Sequence, residues 1–421
     1  MFTLLFVAFL VADNLIKLIL AMRQIRHVAQ HRNQVPAEFD HHISLKSHQR
    51  AADYTIRRTK TAIAERLVDS VFLLALTLLG GLQALDLFFG RHIEGDLLRQ
   101  LLLVGSVFLL SSLVQLPFSL WRIFKIDEDF GFNRMTPGLF ISDTLKATLL
   151  AVVLGAPLLA AVIWLMDSAP GYWPLWAWVI WVLFSFLIMW LFPQVIAPLF
   201  NRFEPLEQEP LKSRIEALAQ RCQFALNGLF VMDGSKRSAH GNAYFTGIGK
   251  NKRIVFFDTL LNRLNEDEIE AVLAHELGHF KHRHITKRLI LNMFLALVFL
   301  LLLGWLSQQV WFYTDLGVIP QLGRPNSGLA LILFFLVIPV FSFWLGPLFS
   351  VLSRKDEYQA DQFAAEQSSA TALISALVKL YDDNAATLTP DPAHSAFYDS
   401  HPPAPLRIQQ LKQYANRTKA A

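Results

Sequence analysis

Apolar residues fall into seven long blocks separated by polar stretches: Leu4–Met22, Leu67–Phe89, Leu101–Phe124, Ala147–Met166, Trp173–Ile196, Ile285–Val310 and Gly328–Leu352. Each has about the length that a helix needs to cross a bilayer. The first is interrupted by Asp13 and Lys17, whose spacing of four lets them pair on one helix face. It has no basic leader and no small-residue cleavage site, so it reads as a retained span and not a signal peptide. A tight Asp167-Ser-Ala-Pro-Gly171 turn joins spans four and five, and Trp173, Trp176 and Trp178 beside it read as an interfacial aromatic belt.

The polar stretches divide the chain. Residues 1–200 form an N-terminal membrane region of five spans, 201–284 a soluble part, 285–352 two further spans and 353–421 a second soluble part. Within the first soluble part the pattern predicts an amphipathic helix over Leu211–Cys222. Short strands follow at Phe230–Met232, Ala243–Thr246 and Arg253–Phe257, the last two joined by a hairpin turn at Gly247–Asn251. A helix then starts at Asn265, whose spacing to Glu268 resembles a capping box. It is expected to run on through His284 into span six. The strongest Lys/Arg cluster near membrane ends is Arg23–Arg66, which predicts a cytoplasmic loop there. Alternation then puts both soluble parts on that same side and the N-terminus on the other.

Composition agrees with this picture. Of 421 residues, 53% are hydrophobic and 17% charged, against about a quarter charged in a soluble domain. The net charge of +4 is spread thinly, and no basic stripe with interleaved aromatics suggests nucleic acid. Cys222 is the only cysteine, which excludes an intrachain disulfide. No repeat of one half of the chain in the other appears.

The candidate chemistry sits in His275-Glu-Leu-Gly-His279. One helical turn separates the two histidines, so both imidazoles can reach one ion, while Glu276 lies close enough to take a proton from zinc-bound water. A catalytic zinc usually has three protein ligands. Glu357 is the best third, in a helix leaving span seven as the motif helix leads into span six. Asp361 lies one turn further on that face, placed to fix the tautomer of a ligand histidine. The competing reading makes Glu357 and Asp361 surface partners of Arg354 and Lys355. His282 and His284 are expected at headgroup level, rotated off the His275 face. Asn242-Ala243-Tyr244-Phe245-Thr246 suits an edge strand that binds an extended peptide, although Asn242 also suits a simple turn after Gly241. His401, before two prolines, is either a loop residue or a donor to a developing oxyanion.

Four motifs in this order resemble the type I CAAX prenyl endopeptidases: Ser235–Ile254, His275–His279, Glu357-Tyr-Gln-Ala-Asp361 and His401-Pro-Pro-Ala-Pro-Leu-Arg407. The seven spans and Phe130-Gly-Phe-Asn-Arg-Met-Thr136 are similar too. The resemblance implies a mainly α fold: a seven-helix membrane bundle enclosing an intramembrane chamber, under a cytoplasmic zincin-like α+β cap. It also implies one zinc per chain on His275, His279 and Glu357, with Glu276 as general base. Asn242, with Ala243, Tyr244 and Phe245, would hold the substrate backbone, and His401 and Arg407 would steady the scissile region. The partners expected are the lipid bilayer and a peptide or protein substrate, prenylated or plain, and no nucleic acid. The compact connections suggest a bacterial inner-membrane protein whose site faces the cytoplasm, with the endoplasmic reticulum as the alternative. The rival function is a zinc-regulated transporter or channel without peptidase activity.

Overall fold

The computed structural model of the protein describes residues 1–169, 171–246, 252–321 and 323–420. The expected turn at Gly247–Asn251 lies outside the described residues, as does Pro170 within the turn between spans four and five. Two long helices open the chain, α1 (Phe2–Gln30) and α2 (Leu45–Leu76), followed by α3 (Gly81–His92) and α4 (Asp96–Trp121, continuing as a π turn to Asp127). Next come α5 (Pro137–Leu150), a π turn, α6 (Ala156–Ser168), α7 (Trp173–Leu191), another π turn and the short α8 (Ala197–Phe200). Six helices or continuous helix runs are long and apolar enough to cross a membrane, and a seventh span results if α2 and α3 count as one.

That pair is bent by 50°, a break within the second apolar block. Gly80 turns at φ +80°, and a Cβ on Gly81 would come within 2.6 Å of the Ala75 carbonyl oxygen. Only glycine fits both demands. The basic stretch Arg23–Arg66 is also not the loop its polarity suggested. Its ends extend α1 and α2 beyond the apolar blocks, leaving a connection only from His31 to Ser44.

The spans form a circuit of neighbours: α1 packs on α2, α2 on α4, α4 on α6, α6 on α7, α7 on α12 (His284–Leu306), α12 on α14 (Ser327–Ser342), and α14 back on α1, while α14 also packs across the circuit on α4 and α6. At one end the ring is plugged. Phe6, Leu82, Leu103, Phe312 and Leu333 are buried together there, and polar groups tie the helix ends across the plug. Buried Arg99 pairs with Asp86 at 2.8 Å and donates to the Pro325 carbonyl, while Gln100 and Ser327 both bond Asp167. In lipid, where apolar burial alone drives little helix association, such bonds and close packing hold the bundle.

The soluble elements gather at the other end. A four-stranded sheet is built from β1 (Phe203–Pro205), β2 (Leu226–Met232), β3 (Ala243–Thr246) and β4 (Lys252–Phe257), in the order β1-β2-β4-β3. β2 and β4 are parallel, the other pairs antiparallel, and β3 is an edge. α9 (Glu209–Arg221), α10 (Asp258–Leu261), α11 (Glu266–Lys281), α15 (Gly346–Gln367) and α16 (Ala370–Asp383) share a core with one sheet face, through Ile215, Leu229, Ile254, Phe256, Leu273 and Leu373. The short α13 (Val310–Thr314) belongs to the plugged end, and α17 (Pro392–Tyr398) and α18 (Ala404–Ala420) complete the cap. The Phe130–Thr136 loop joins it as well, through a bridge between Asn133 and Ser238.

One expectation about the motif helix is corrected. α11 does not run into span six but stops at Lys281, and Arg283, at φ +58°, turns the chain before α12 starts at His284. A left-handed arginine is uncommon and leaves no pattern of apolar positions to announce it.

Candidate zinc peptidase site

The motif helix is fixed at its start. Asn265 and Glu268 bond each other's backbone at 2.8 and 2.9 Å, a complete capping box, and Glu266, Asp267 and Glu268 favour the positive helix end. Glu268 also receives Ser375 at 2.6 Å and Lys379 at 2.8 Å, which bolts α11 to α16. Burial pushes the Glu268 carboxyl up, but those partners outweigh it and hold it below the ordinary carboxylate value. Buried Ile269, Leu273 and Leu277 then set which face of α11 meets the core.

Gly278 decides how near α15 can come. A Cβ there would meet the Ala360 Cα at 2.9 Å. The close approach brings Glu357 against the histidine pair. His275 Nε2 and His279 Nε2 are 3.2 Å apart, and the Glu357 oxygens lie 3.5 and 3.3 Å from them. Tetrahedral zinc with bonds of about 2.0–2.1 Å separates its ligand atoms by about 3.3 Å. The three residues therefore come close to that spacing, each histidine facing a different Glu357 oxygen, with one ligand atom from each within 4.8 Å of the others. Glu357 is buried, and its Oε2 has no hydrogen-bond partner. Charge fits too: Glu276, Glu357 and Asp361 against Arg407 leave two negative charges, which a dication cancels. The surface-ion-pair reading of Glu357 and Asp361 fails, since both are buried and Arg354 donates instead to the Ser395 and Asp399 carbonyls.

Each histidine is held from behind. His275 Nδ1 lies 2.8 Å from Asp361 Oδ1, and a proton on Nδ1 leaves Nε2 free to ligate. Asp361 is gripped by both arms of Arg407, at 2.6 and 2.7 Å. Burial works against the Arg407 charge, but Asp361 beside it outweighs that and raises the guanidinium above its ordinary value. Arg407, expected at the scissile region, is thus buried beside His275, its Nη2 3.1 and 3.2 Å from the ring's Nδ1 and Nε2 and 3.7 Å from Glu357 Oε2. His279 Nδ1 lies 3.0 Å from His284 Nδ1, and His284 Nε2 lies 2.9 Å from Gln359 Oε1. The headgroup position expected for His284 is corrected: it is buried, because the turn at Arg283 resets the register and swings it under His279. Gln359 and Asp356 went unnoticed in the sequence, where nothing local links them to His284.

Glu276 is half-buried between the two ligand positions, and among the described residues nothing bonds its carboxylate. His401 is mostly exposed, its Nε2 3.5 Å from Glu357 Oε1. Asn242 stands at the head of β3, its side chain turned onto the Ala243 N–H at 2.8 Å. Ala243 and Phe245 point into the cap core, where Phe245 meets Phe224 edge-on. Tyr244 faces the opposite way, into a recess of about 330 Å³ with Arg253 and Pro193. Ala243 and Phe245 can therefore offer a peptide only backbone.

Comparison with known proteins now bears on this geometry. Residues 24–202 match the profile described as CAAX prenyl protease N-terminal, five membrane helices, and 205–415 match peptidase family M48. A CAAX prenyl protease 1 homolog of Arabidopsis thaliana is 41% identical over 327 residues, covering 76% of this chain and 75% of the relative. The chain belongs to the CAAX prenyl protease 1 family. The Homo sapiens homolog in this family is 30% identical and covers 93% of this chain and 91% of its own length. The crystal structure of S. mikatae Ste24p superposes with a TM-score of 0.90 at 30% identity, covering 98% of this chain and 99% of that one. Like that family, the chain is a multi-pass membrane zinc metallopeptidase. The transporter alternative finds no support. These relatives are eukaryotic, so the expectation of a bacterial inner membrane finds none either.

Proposed function

We propose that the protein cuts peptides lying extended along β3, including prenylated CAAX-type C-termini, at one zinc held by His275, His279 and Glu357. The observation that carries this reading is the convergence of those three side chains beside the uncommitted carboxylate of Glu276. When bound, zinc supplies polarisation of the scissile carbonyl and acidification of water. Glu276 takes the proton of the attacking water onto a carboxylate oxygen and passes it to the leaving nitrogen. Asn242 and the free edge of β3 hold the substrate main chain. His401 donates to the oxygen on which charge develops.

A chamber inside the ring is part of the proposal. Its support is the circuit of neighbouring spans and the surface the whole chain exposes, 22,056 Å². A compact monomer of 47.8 kDa exposes about 16,000 Å². The plugged end and the cap would close it, and the cap would face the cytoplasm. The endoplasmic reticulum suits the eukaryotic relatives.

Two measurements test the reading. Glu276→Gln should keep its zinc and lose roughly 10²–10⁴-fold in turnover, whereas Glu357→Ala should lose the metal. Retention of both metal and activity by Glu357→Ala would overturn the ligand set. Kinetics on one peptide with and without a farnesyl group then separate the substrates. Removing the lipid should weaken binding more than turnover; total failure to cut the plain peptide would make the lipid a requirement.

A further inference from the structure

Between α1 and α2, bounded also by Arg122 and by His394 and Tyr398 of α17, runs a groove of about 620 Å³ whose lining changes along its length. Towards the cap it presents Arg58 and Arg122, and midway Lys17 and Arg66, with no carboxylate in its lining. Leu15 and Leu67 flank that middle level, and further from the cap it becomes Leu10, Val11 and Leu74, where Ser70 donates to Asn14 at 2.9 Å. Val11, Leu15 and Leu67 are 51%, 53% and 54% exposed, so this limb is open at its rim.

The acids that answer those cations stand behind the lining. Asp13 lies 2.6 Å from Lys17 and 3.7 Å from Arg66, and Glu65 lies 2.8 Å from Arg122. Arg58 has no carboxylate within ion-pair distance among the described residues; it leans on Tyr54, with Nη1 3.3 Å from the phenol oxygen. His394 lines the same groove, and its buried Nδ1 has no hydrogen-bond partner. The groove therefore offers surplus positive charge and an unmet polar atom at one end, and apolar surface at the other.

We propose that this groove binds one anionic phospholipid of the cap-side leaflet, its phosphate on Arg58 and Arg122 and an acyl chain between Leu15 and Leu67. The polarity gradient runs as such a lipid does, charge at the interface and tail towards mid-membrane. A zwitterionic lipid would bring its own cation to an end where four cations already face only two carboxylates, Asp13 and Glu65. A soluble phosphate would leave the apolar limb unused, and a prenyl chain has no anion for the basic end. His394 and Tyr398, which form one wall, belong to α17, and that helix ends three residues before His401. The lipid would thus also steady the segment that presents His401.

The test uses the full-length protein in nanodiscs of equal phosphatidylglycerol and phosphatidylcholine, extracted into mild detergent, with retained lipid counted by mass spectrometry. Wild type should retain phosphatidylglycerol over phosphatidylcholine by roughly tenfold. Arg58→Gln combined with Arg122→Gln should abolish that preference. Leu15→Trp, which fills the apolar limb without touching charge, should lower retention of phosphatidylglycerol, and it decides the matter if the double variant does not fold. Equal retention of both lipids by wild type, or an unchanged preference in the double variant, would overturn the proposal. Displacement by inorganic phosphate would reassign the basic end to a soluble anion. Displacement by a farnesylated peptide would give the groove to the substrate, and either result defeats the lipid site.

Discussion

His275 rests on a carboxylate, and His279 rests on another histidine. Behind His275, the Asp361 carboxylate is locked by a two-armed bond to Arg407, which reaches in from the C-terminal helix. All three are buried. Behind His279 the chain of contacts is neutral, running through His284 to Gln359, with Asp356 Oδ1 3.4 Å from His284 Nε2 and Arg288 beyond it. Both arrangements put a proton on the rear nitrogen and leave the front one free to ligate, but they do so by different physics. A buried charged pair is stiff and intolerant of losing one partner. A neutral relay depends on each ring keeping its tautomer, so its strength lies in hydrogen-bond geometry more than in charge. The first side is anchored in the cap core and the second where the cap meets α12, so the site is held firmly on one flank and more loosely on the other.

The heaviest blow to that contrast is Asp361→Asn. It keeps the shape, removes the charge and leaves buried Arg407 with only the longer, 3.7 Å pairing to Glu357 Oε2. Zinc affinity should fall by about 10–100-fold, and folding should weaken by about 3–5 kcal/mol. Chelator competition and thermal unfolding measure the two effects. Wild-type affinity in this variant would mean the carboxylate is not what orients His275.

Gly278→Ala strikes both flanks together. The added methyl would collide with Ala360 backbone and push α15, with Glu357, Gln359 and Asp361, away from α11. Overpacking of this kind costs about 1–3 kcal/mol. Zinc should be lost without any change at a ligand, and full zinc content at unchanged stability would show that the helices can slide to absorb it.

Replacing His284 probes the neutral side alone. His284→Leu removes the acceptor for His279, and zinc affinity should fall by about tenfold. His284→Asn keeps an amide oxygen near the same place and should recover most of that loss. If leucine and asparagine behave alike, His284 only fills space.

These supports were unevenly legible in the sequence. The histidine pair, the capping box of its helix and the edge strand follow from spacing within short stretches, where helix and strand periods apply. The spans follow from apolar runs, and even the bend between α2 and α3 had its signal in Gly80-Gly81. Arg283 gave none, since arginine is no habitual turn-former, and with it went the place of His284. Nor could local pattern pair Asp361 with Arg407 across two intervening helices and their loops. Long-range bonds of that kind depend on how α18 docks, which no periodicity encodes.

The mildest change offers the sharpest comparison. Arg288 mirrors Arg407 in outline, each being the arginine at the far end of a histidine's support. Yet Arg288 is 50% exposed and Asp356 23%, so water and salt screen their pairing at 3.1 Å. Its influence must also cross the 3.4 Å gap from Asp356 to His284, whose Nε2 proton already serves Gln359. Arg288→Gln should therefore shift zinc affinity by less than about twofold, an effect that fades further at high salt. Arg407→Gln, by contrast, strands a carboxylate in the cap core and should act at any ionic strength. Chelator competition on both variants at low and high salt sets the two arginines side by side. Equal losses, or a loss at Arg288 that survives salt, would mean the flanks are alike and the looser support of His279 is no feature of this site.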